Sequence, residues 1–138
     1  MSPLEKKDVL VVDDDEAIRN LIRIAMIRAG LTCDTASDGL EALARVSSSA
    51  QYSVVLTDLM MPRLDGASFV EELAALDRSS NERPVVLIMT AFPDGERLPV
   101  VGDLVHAVIR KPFDVEDLAE LVHTCIEMRR SLAPGTSA

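Results

Sequence analysis

The chain has 138 residues, nearly half of them apolar, with one Tyr, three Phe and no Trp. That suits one domain of ordinary size with an aliphatic core and excludes disorder as a global description. A formal net charge of −9 repels phosphate backbones and argues against direct nucleic-acid binding, while clustered carboxylates suit a hard divalent cation.

Val9 to Val12 is a continuous apolar run followed by Asp13, Asp14 and Asp15. Ile18, Leu21, Ile22, Ala25 and Ala29 then form an apolar helical stripe that Gly30 stops. Leu31 to Ala36 alternates and reads as an edge strand; Asp38 and Glu41 resemble a capping box for a helix reaching about Val46. Val54 to Leu56 is a second apolar strand, ending in Thr57 and Asp58. Gly66 to Leu76 reads as a helix burying Phe69, Val70, Leu73 and Leu76. Val85 to Met89 is another apolar strand, followed by Thr90. The segment from Ala91 to His106 contains Pro93, Gly95, Pro99 and Gly102. Inside a helix these residues cost roughly 3 kcal/mol per Pro and 1 kcal/mol per Gly, so any helix here is expected to be short, displaced or mobile. Ala107 to Ile109 is a short strand at the other edge, followed by Lys111. The last helix starts at Asp114 and carries Leu118, Leu121, Val122 and Cys125 on one face.

Strands that are apolar on both faces, alternating with helices, predict an α/β domain: parallel strands, right-handed crossovers and helices on both faces. Residues 1–131 are expected to form that domain and 132–138 a frayed tail. No apolar run approaches the ~18 residues that span a bilayer, and Met1 to Asp8 shows no signal-peptide apolar region. The expectation is a soluble cytoplasmic protein with Cys33 and Cys125 as free thiols.

In an open α/β sheet the functional crevice lies beyond the C-terminal strand ends. Those ends carry Asp13, Asp14, Asp58, Thr90 and Lys111. Each alone is also what capping or turn chemistry would leave there; the joint occurrence is not. Carboxylates from the first and third strands would repel one another unless a cation binds, and Mg²⁺ takes oxygen ligands. Asp58 could then attack phosphorus and form an acyl phosphate, with Lys111 and Thr90 on the phosphoryl oxygens.

The stretch from Val9 to Arg19 resembles the opening of bacterial two-component response-regulator receiver domains. Val54 to Gly66, with Thr57-Asp58-Leu59-Met60-Met61-Pro62, resembles their phosphorylation segment very closely. Met89-Thr90-Ala91 and Lys111-Pro112-Phe113 complete the set, and the resemblance runs from about Asp8 to Met128. It implies a CheY-like, flavodoxin-like (βα)5 three-layer sandwich with strand order 2-1-3-4-5. It implies Asp58 as phosphoacceptor, Asp14 as direct Mg²⁺ ligand, Asp13 as its partner acid and the Met60 backbone carbonyl as a further ligand. Thr90 and Lys111 match the phosphate-contacting and switch residues, and the Lys111–Pro112 peptide is expected to be cis. The implied donor is a sensor histidine kinase or a phosphotransfer protein. The phosphotransfer would be self-catalysed, with slow autodephosphorylation and no enzymatic turnover.

Two positions depart from the family pattern. Val108 stands where an aromatic is usual, so the signal is expected to leave through the Thr90 loop. The Pro/Gly-interrupted segment disfavours the usual dimer through the fourth helix, fifth strand and last helix. A phosphorylation-independent interaction module is the alternative. A Mg²⁺-dependent aspartyl phosphohydrolase is a further one, but it would want a carboxylate where Met60 stands. A flavodoxin-like cofactor protein would want Gly- or hydroxyl-rich loops where the Asp run stands. Met60 borders the implied path of the hydrolytic water. Met60→Asn or Met60→Glu is therefore expected to change the acyl-phosphate lifetime, measured as decay of the phosphorylated species on a phosphate-affinity gel.

Overall fold

The computed structural model of the chain describes residues 5–47, 50–59, 63, 65–75, 84–91 and 105–131. In chain order the elements are β1 (Glu5–Val12), α1 (Glu16–Arg28), β2 (Cys33–Ala36), α2 (Gly39–Ser47), β3 (Ala50–Asp58), α3 (Gly66–Ala75), β4 (Val85–Thr90), β5 (Val105–Arg110) and α4 (Val115–Ser131). The strands form one sheet in the order β2-β1-β3-β4-β5, with every pairing parallel. This is the expected flavodoxin-like topology. The helix expected between Ala91 and His106, the residues Met60 and Leu76, and the tail 132–138 lie outside the described residues.

The central strands are apolar because both of their faces are covered. Val9 and Val11 of β1 pack with Ile22 and Met26 of α1 and with Leu118, Val122 and Cys125 of α4 on one side of the sheet. Leu10 and Val12 pack with Ala42 and Val46 of α2 and with Phe69, Val70 and Leu73 of α3 on the other. Fully burying side chains of this size contributes about 1.5–3 kcal/mol each. β5 alternates half-buried and exposed residues along its length, as an edge strand does.

Local chemistry sets the helix ends. The Asp15 side chain accepts from the amides of Ala17 and Ile18 and so N-caps α1. The chain leaves α1 through Gly30 at φ 85°, in the left-handed region that favours glycine. Asp114 precedes α4 as its cap rather than forming its first turn, accepting from the amides of Glu116 and Asp117. Only half of the expected capping box forms at α2. Asp38 Oδ1 accepts from the Glu41 amide at 2.8 Å, but the Glu41 carboxylate accepts from the Ser37 hydroxyl at 3.0 Å instead of returning to Asp38.

The α1 stripe also needs correction. Ile22 and Met26 are the buried residues of this helix, whereas Leu21 is 54 % exposed. Ile18 and Ala29 of the stripe pack against the core with Ile22, while Leu21 lies off it, because the helix carries apolar residues on more than one face. Both cysteines are free, Cys125 buried and Cys33 half-buried. Burial, with Asp34 alongside, pushes the Cys33 thiol up to about 12, which leaves it a poor nucleophile at neutral pH. Among the described residues no helix is long and apolar enough to cross a membrane.

The loop after β3 closes back on its strand, with the Gly66 amide donating to the Leu59 carbonyl at 2.8 Å. A Cβ on residue 66 would lie 2.0 Å from the Asp58 carbonyl oxygen and 2.7 Å from the Leu59 Cα. Both are backbone atoms that cannot rotate away. Gly66→Ala is therefore expected to destabilise the fold by about 1–3 kcal/mol, read as a lower chemical-denaturation midpoint.

Candidate functional site

Register places the site. Val12 pairs with Thr57 across β1 and β3, so Asp13 and Asp58, each the next residue along, leave adjacent strands at one level. Thr57 pairs with Ile88 and Asp58 with Met89, so Thr90 ends β4 one step further on. Thr90 pairs with Arg110 of β5, and its carbonyl accepts from the Lys111 amide at 2.8 Å. The C-terminal ends of four neighbouring strands thus converge on one rim.

Asp13, Asp14 and Asp58 each offer a carboxylate oxygen, and these oxygens lie within 4.8 Å of one another. Asp13 is fully buried and Asp58 nearly so, while Asp14 is exposed. Lys111 Nζ lies 3.3 Å from Asp13 Oδ2 and 3.2 Å from Asp58 Oδ2, so one ammonium bridges two of the three acids. Each attraction is on the order of 4 kcal/mol before desolvation is subtracted. Burial alone would lower the Lys111 pKa, but the Asp13 and Asp58 carboxylates outweigh it and hold the ammonium above its ordinary value. Lys111 is therefore charged at neutral pH. The three carboxylates are hard oxygen donors with the opening on the Asp14 side, a donor set that fits a divalent cation such as Mg²⁺.

The remaining predicted positions fall as follows. Thr90 is fully buried at the end of β4. The Lys111–Pro112 peptide is cis, as expected. Val108 is 40 % exposed on β5. Met60, expected to offer its backbone carbonyl, lies outside the described residues. The Asp run divides its labour: Asp15 caps α1, while Asp13 and Asp14 face the rim.

Three contacts were not anticipated from the sequence. Arg19 donates to the Asp13 carbonyl at 2.8 Å, tying the first turns of α1 to the end of β1. The buried Thr57 hydroxyl donates to the Asp58 carbonyl at 2.9 Å. Arg63, at φ 67°, forms an ion pair with Asp38, joining the loop after β3 to the start of α2. Burial on its own would raise the Asp38 carboxyl, but the Glu41 amide and the Arg63 guanidinium outweigh it and hold it below the usual carboxylate range. The position of Arg19 four residues after the helix cap is a usable signal for the first contact. The Asp38–Arg63 pair spans two loops and leaves no local pattern.

Residues 9–123 match the response regulator receiver domain family. The chain belongs to that family. It is 37 % identical over 111 residues to the response regulator MprA of Mycobacterium ulcerans, a match spanning 80 % of this chain and 46 % of that protein. It is 35 % identical over 126 residues to the DNA-binding transcriptional regulator NtrC of Salmonella typhimurium, spanning 89 % of this chain and 25 % of that protein. The chain therefore spans half or less of the length of the curated relatives it matches. Among solved structures it resembles a CheY-like receiver domain protein from Methanospirillum hungatei, with a TM-score of 0.76 at 30 % identity, covering 90 % of this chain and 97 % of that one. It also resembles the response regulator TrrA of Thermotoga maritima, solved in complex with Mg²⁺ and BeF, with a TM-score of 0.70 at 26 % identity, covering 86 % of this chain and 98 % of that one.

The acid cluster yields a direct test. Removing one like charge relieves repulsion and also removes a ligand. Asp14→Asn is expected to raise the melting temperature in metal-free buffer by a few degrees and to shrink the further rise that Mg²⁺ gives the wild type. Thermal unfolding with EDTA and with Mg²⁺ measures both effects.

Proposed function

We propose that this receiver accepts a phosphoryl group on Asp58 from a histidine kinase or phosphotransfer protein and changes conformation to signal a partner. The observation that supports it most is the position of Asp58: nearly buried, at a central strand end, inside a three-carboxylate cluster and 3.2 Å from the Lys111 ammonium. One Asp58 carboxylate oxygen forms the new bond to phosphorus. The bond between phosphorus and the donor's leaving atom breaks, and its electron pair departs with the donor. Lys111, already charged and bridging the acids, turns toward a phosphoryl oxygen as the Asp58 negative charge moves outward. The Thr90 hydroxyl donates to another of those oxygens. Arg19, through the Asp13 carbonyl, keeps the end of β1 in place.

Asp13, Asp14 and Asp58, with the Met60 carbonyl as a further ligand, would hold Mg²⁺, which when bound supplies positive charge that neutralises the incoming phosphoryl oxygens. On this reading the domain accepts one phosphoryl group and loses it slowly, without turning over a substrate. Residues 1–131 act as the receiver unit, working in the cytoplasm without direct nucleic-acid contact.

Incubation with a small acyl-phosphate donor and Mg²⁺, followed by intact mass, tests the proposal. A gain of one phosphoryl group is expected in the wild type, with no gain in Asp58→Asn and a loss of more than tenfold in rate without Mg²⁺. A gain that persists in Asp58→Asn would move the acceptor elsewhere.

A further inference from the structure

The loop after Asp58 is held at its ends and in its middle. Its ends meet where the Gly66 amide donates to the Leu59 carbonyl at 2.8 Å. Between them Arg63 reaches to Asp38, with Nε donating to Asp38 Oδ2 at 2.7 Å and Nη2 donating to the same oxygen. Arg63 makes this contact at φ 67°, a left-handed conformation that is uncommon for a residue with a Cβ. Such conformations persist where surrounding contacts over-determine them, and those places cluster at functional sites. The Arg63 side chain is mostly exposed, so it adds little by burial. What it supplies is position.

Asp38 is a firm anchor for it. Asp38 is 6 % exposed, its Oδ1 accepts from the Glu41 amide at 2.8 Å, and its carbonyl accepts from the Ala42 amide at 3.0 Å. Two residues earlier, the Ala36 carbonyl at the end of β2 accepts from the Asp13 amide at 3.2 Å. One short stretch of chain therefore holds Asp13 on one side and the loop on the other. Asp13 and Asp58 belong to the acid cluster. Met60, whose carbonyl is the proposed further ligand, lies in sequence between Leu59 and Arg63.

We infer that the Asp38–Arg63 ion pair is a latch that holds the loop after Asp58 in place against Asp13 for metal binding. Arg63 is a positioning residue, a cation whose removal weakens the binding of another cation. The inference rests on the reading that Asp13, Asp14, Asp58 and the Met60 carbonyl take Mg²⁺. Charge alone argues the opposite sign. By charge, losing Arg63 tightens Mg²⁺ binding and losing the Asp38 carboxylate loosens it, while losing both leaves the net charge as it was. A latch weakens binding in all three cases.

Titration of the isotope-labelled chain with MgCl₂, followed by the amide NMR shifts of Asp14 and Asp58, measures the affinity, and the same spectra show that each variant is folded. Asp38→Asn removes the charge but keeps the start of α2, because Asn caps a helix as well as Asp does. Arg63→Met keeps the length of the side chain and removes its charge. Arg63→Met should weaken Mg²⁺ binding about tenfold, the lower end of what loss of a group orienting a metal ligand costs. Asp38→Asn should weaken it at least as much, and the double variant about as much as Arg63→Met. Arg63→Lys keeps the charge but offers a point contact in place of the fork, and its affinity should fall between those of Arg63→Met and the wild type. Unchanged or tighter binding in Arg63→Met overturns the inference, and so does a double variant that returns to wild-type affinity. Asp14→Asn controls for the site itself. Binding lost in Asp14→Asn but untouched by Arg63→Met overturns the latch alone. A wild type without Mg²⁺-dependent shifts, or with shifts that survive Asp14→Asn, overturns the metal site and the latch together.

Discussion

Three carboxylates held within 4.8 Å of one another are an unfavourable arrangement that no short peptide would sustain. The sheet imposes it. Adjacent strands lie about 4.8 Å apart, and the pairing of Val12 with Thr57 puts Asp13 and Asp58 at the same level on neighbouring strands. Their separation is a property of the backbone ladder rather than of side-chain choice. Everything else at the rim answers that repulsion. Lys111 bridges two of the acids, Asp15 turns its carboxylate to the α1 amides, and Asp14 remains open to solvent.

The rest of the fold keeps the ladder in register. Side chains alternate between faces of a strand with period two, so a slip of one residue would exchange the two apolar layers and drive the wrong residues to the rim. The separate cores on the two faces of the sheet, one under α1 and α4 and the other under α2 and α3, penalise such a slip from both sides. Loop contacts then fix the strand ends: Arg19 on the Asp13 carbonyl, Thr57 on the Asp58 carbonyl and Gly66 on the Leu59 carbonyl. Lys111 has to reach across β4 to meet Asp58, and its long, unbranched side chain suits that span.

Strands β1, β3 and β4 were legible because their centres are buried on both faces, and their ends then named the acids and Thr90. Their full lengths were not legible. β1 begins at Glu5 and β3 at Ala50, through polar residues such as Lys6, Lys7 and Gln51 whose strand geometry comes from pairing with each other rather than from their own hydropathy. The inward face of α1 was only partly legible: Ile18, Ile22 and Ala29 of its stripe meet the core, Leu21 does not, and Met26 joins them. With Leu21, Ile22, Ile24, Met26 and Ile27 in one helix, apolar character surrounds most of its circumference, and only packing shows that Ile22 and Met26 face the core. The Asp38–Arg63 pair was invisible because it joins two loops brought together only by the crossover of α2.

The 98-residue separation between Asp13 and Lys111 bears on how the molecule comes into being. A chain emerging from the ribosome presents its amino-terminal strands first. β1 and β3 can pair, and so crowd Asp13 against Asp58, while the lysine that relieves them is still unsynthesised. Until β5 is laid down, the growing sheet carries that crowding at its central strand ends without the Lys111 ammonium that later bridges Asp13 and Asp58. The last strand therefore closes the edge of the sheet and also delivers the counter-charge that makes the middle of it tolerable.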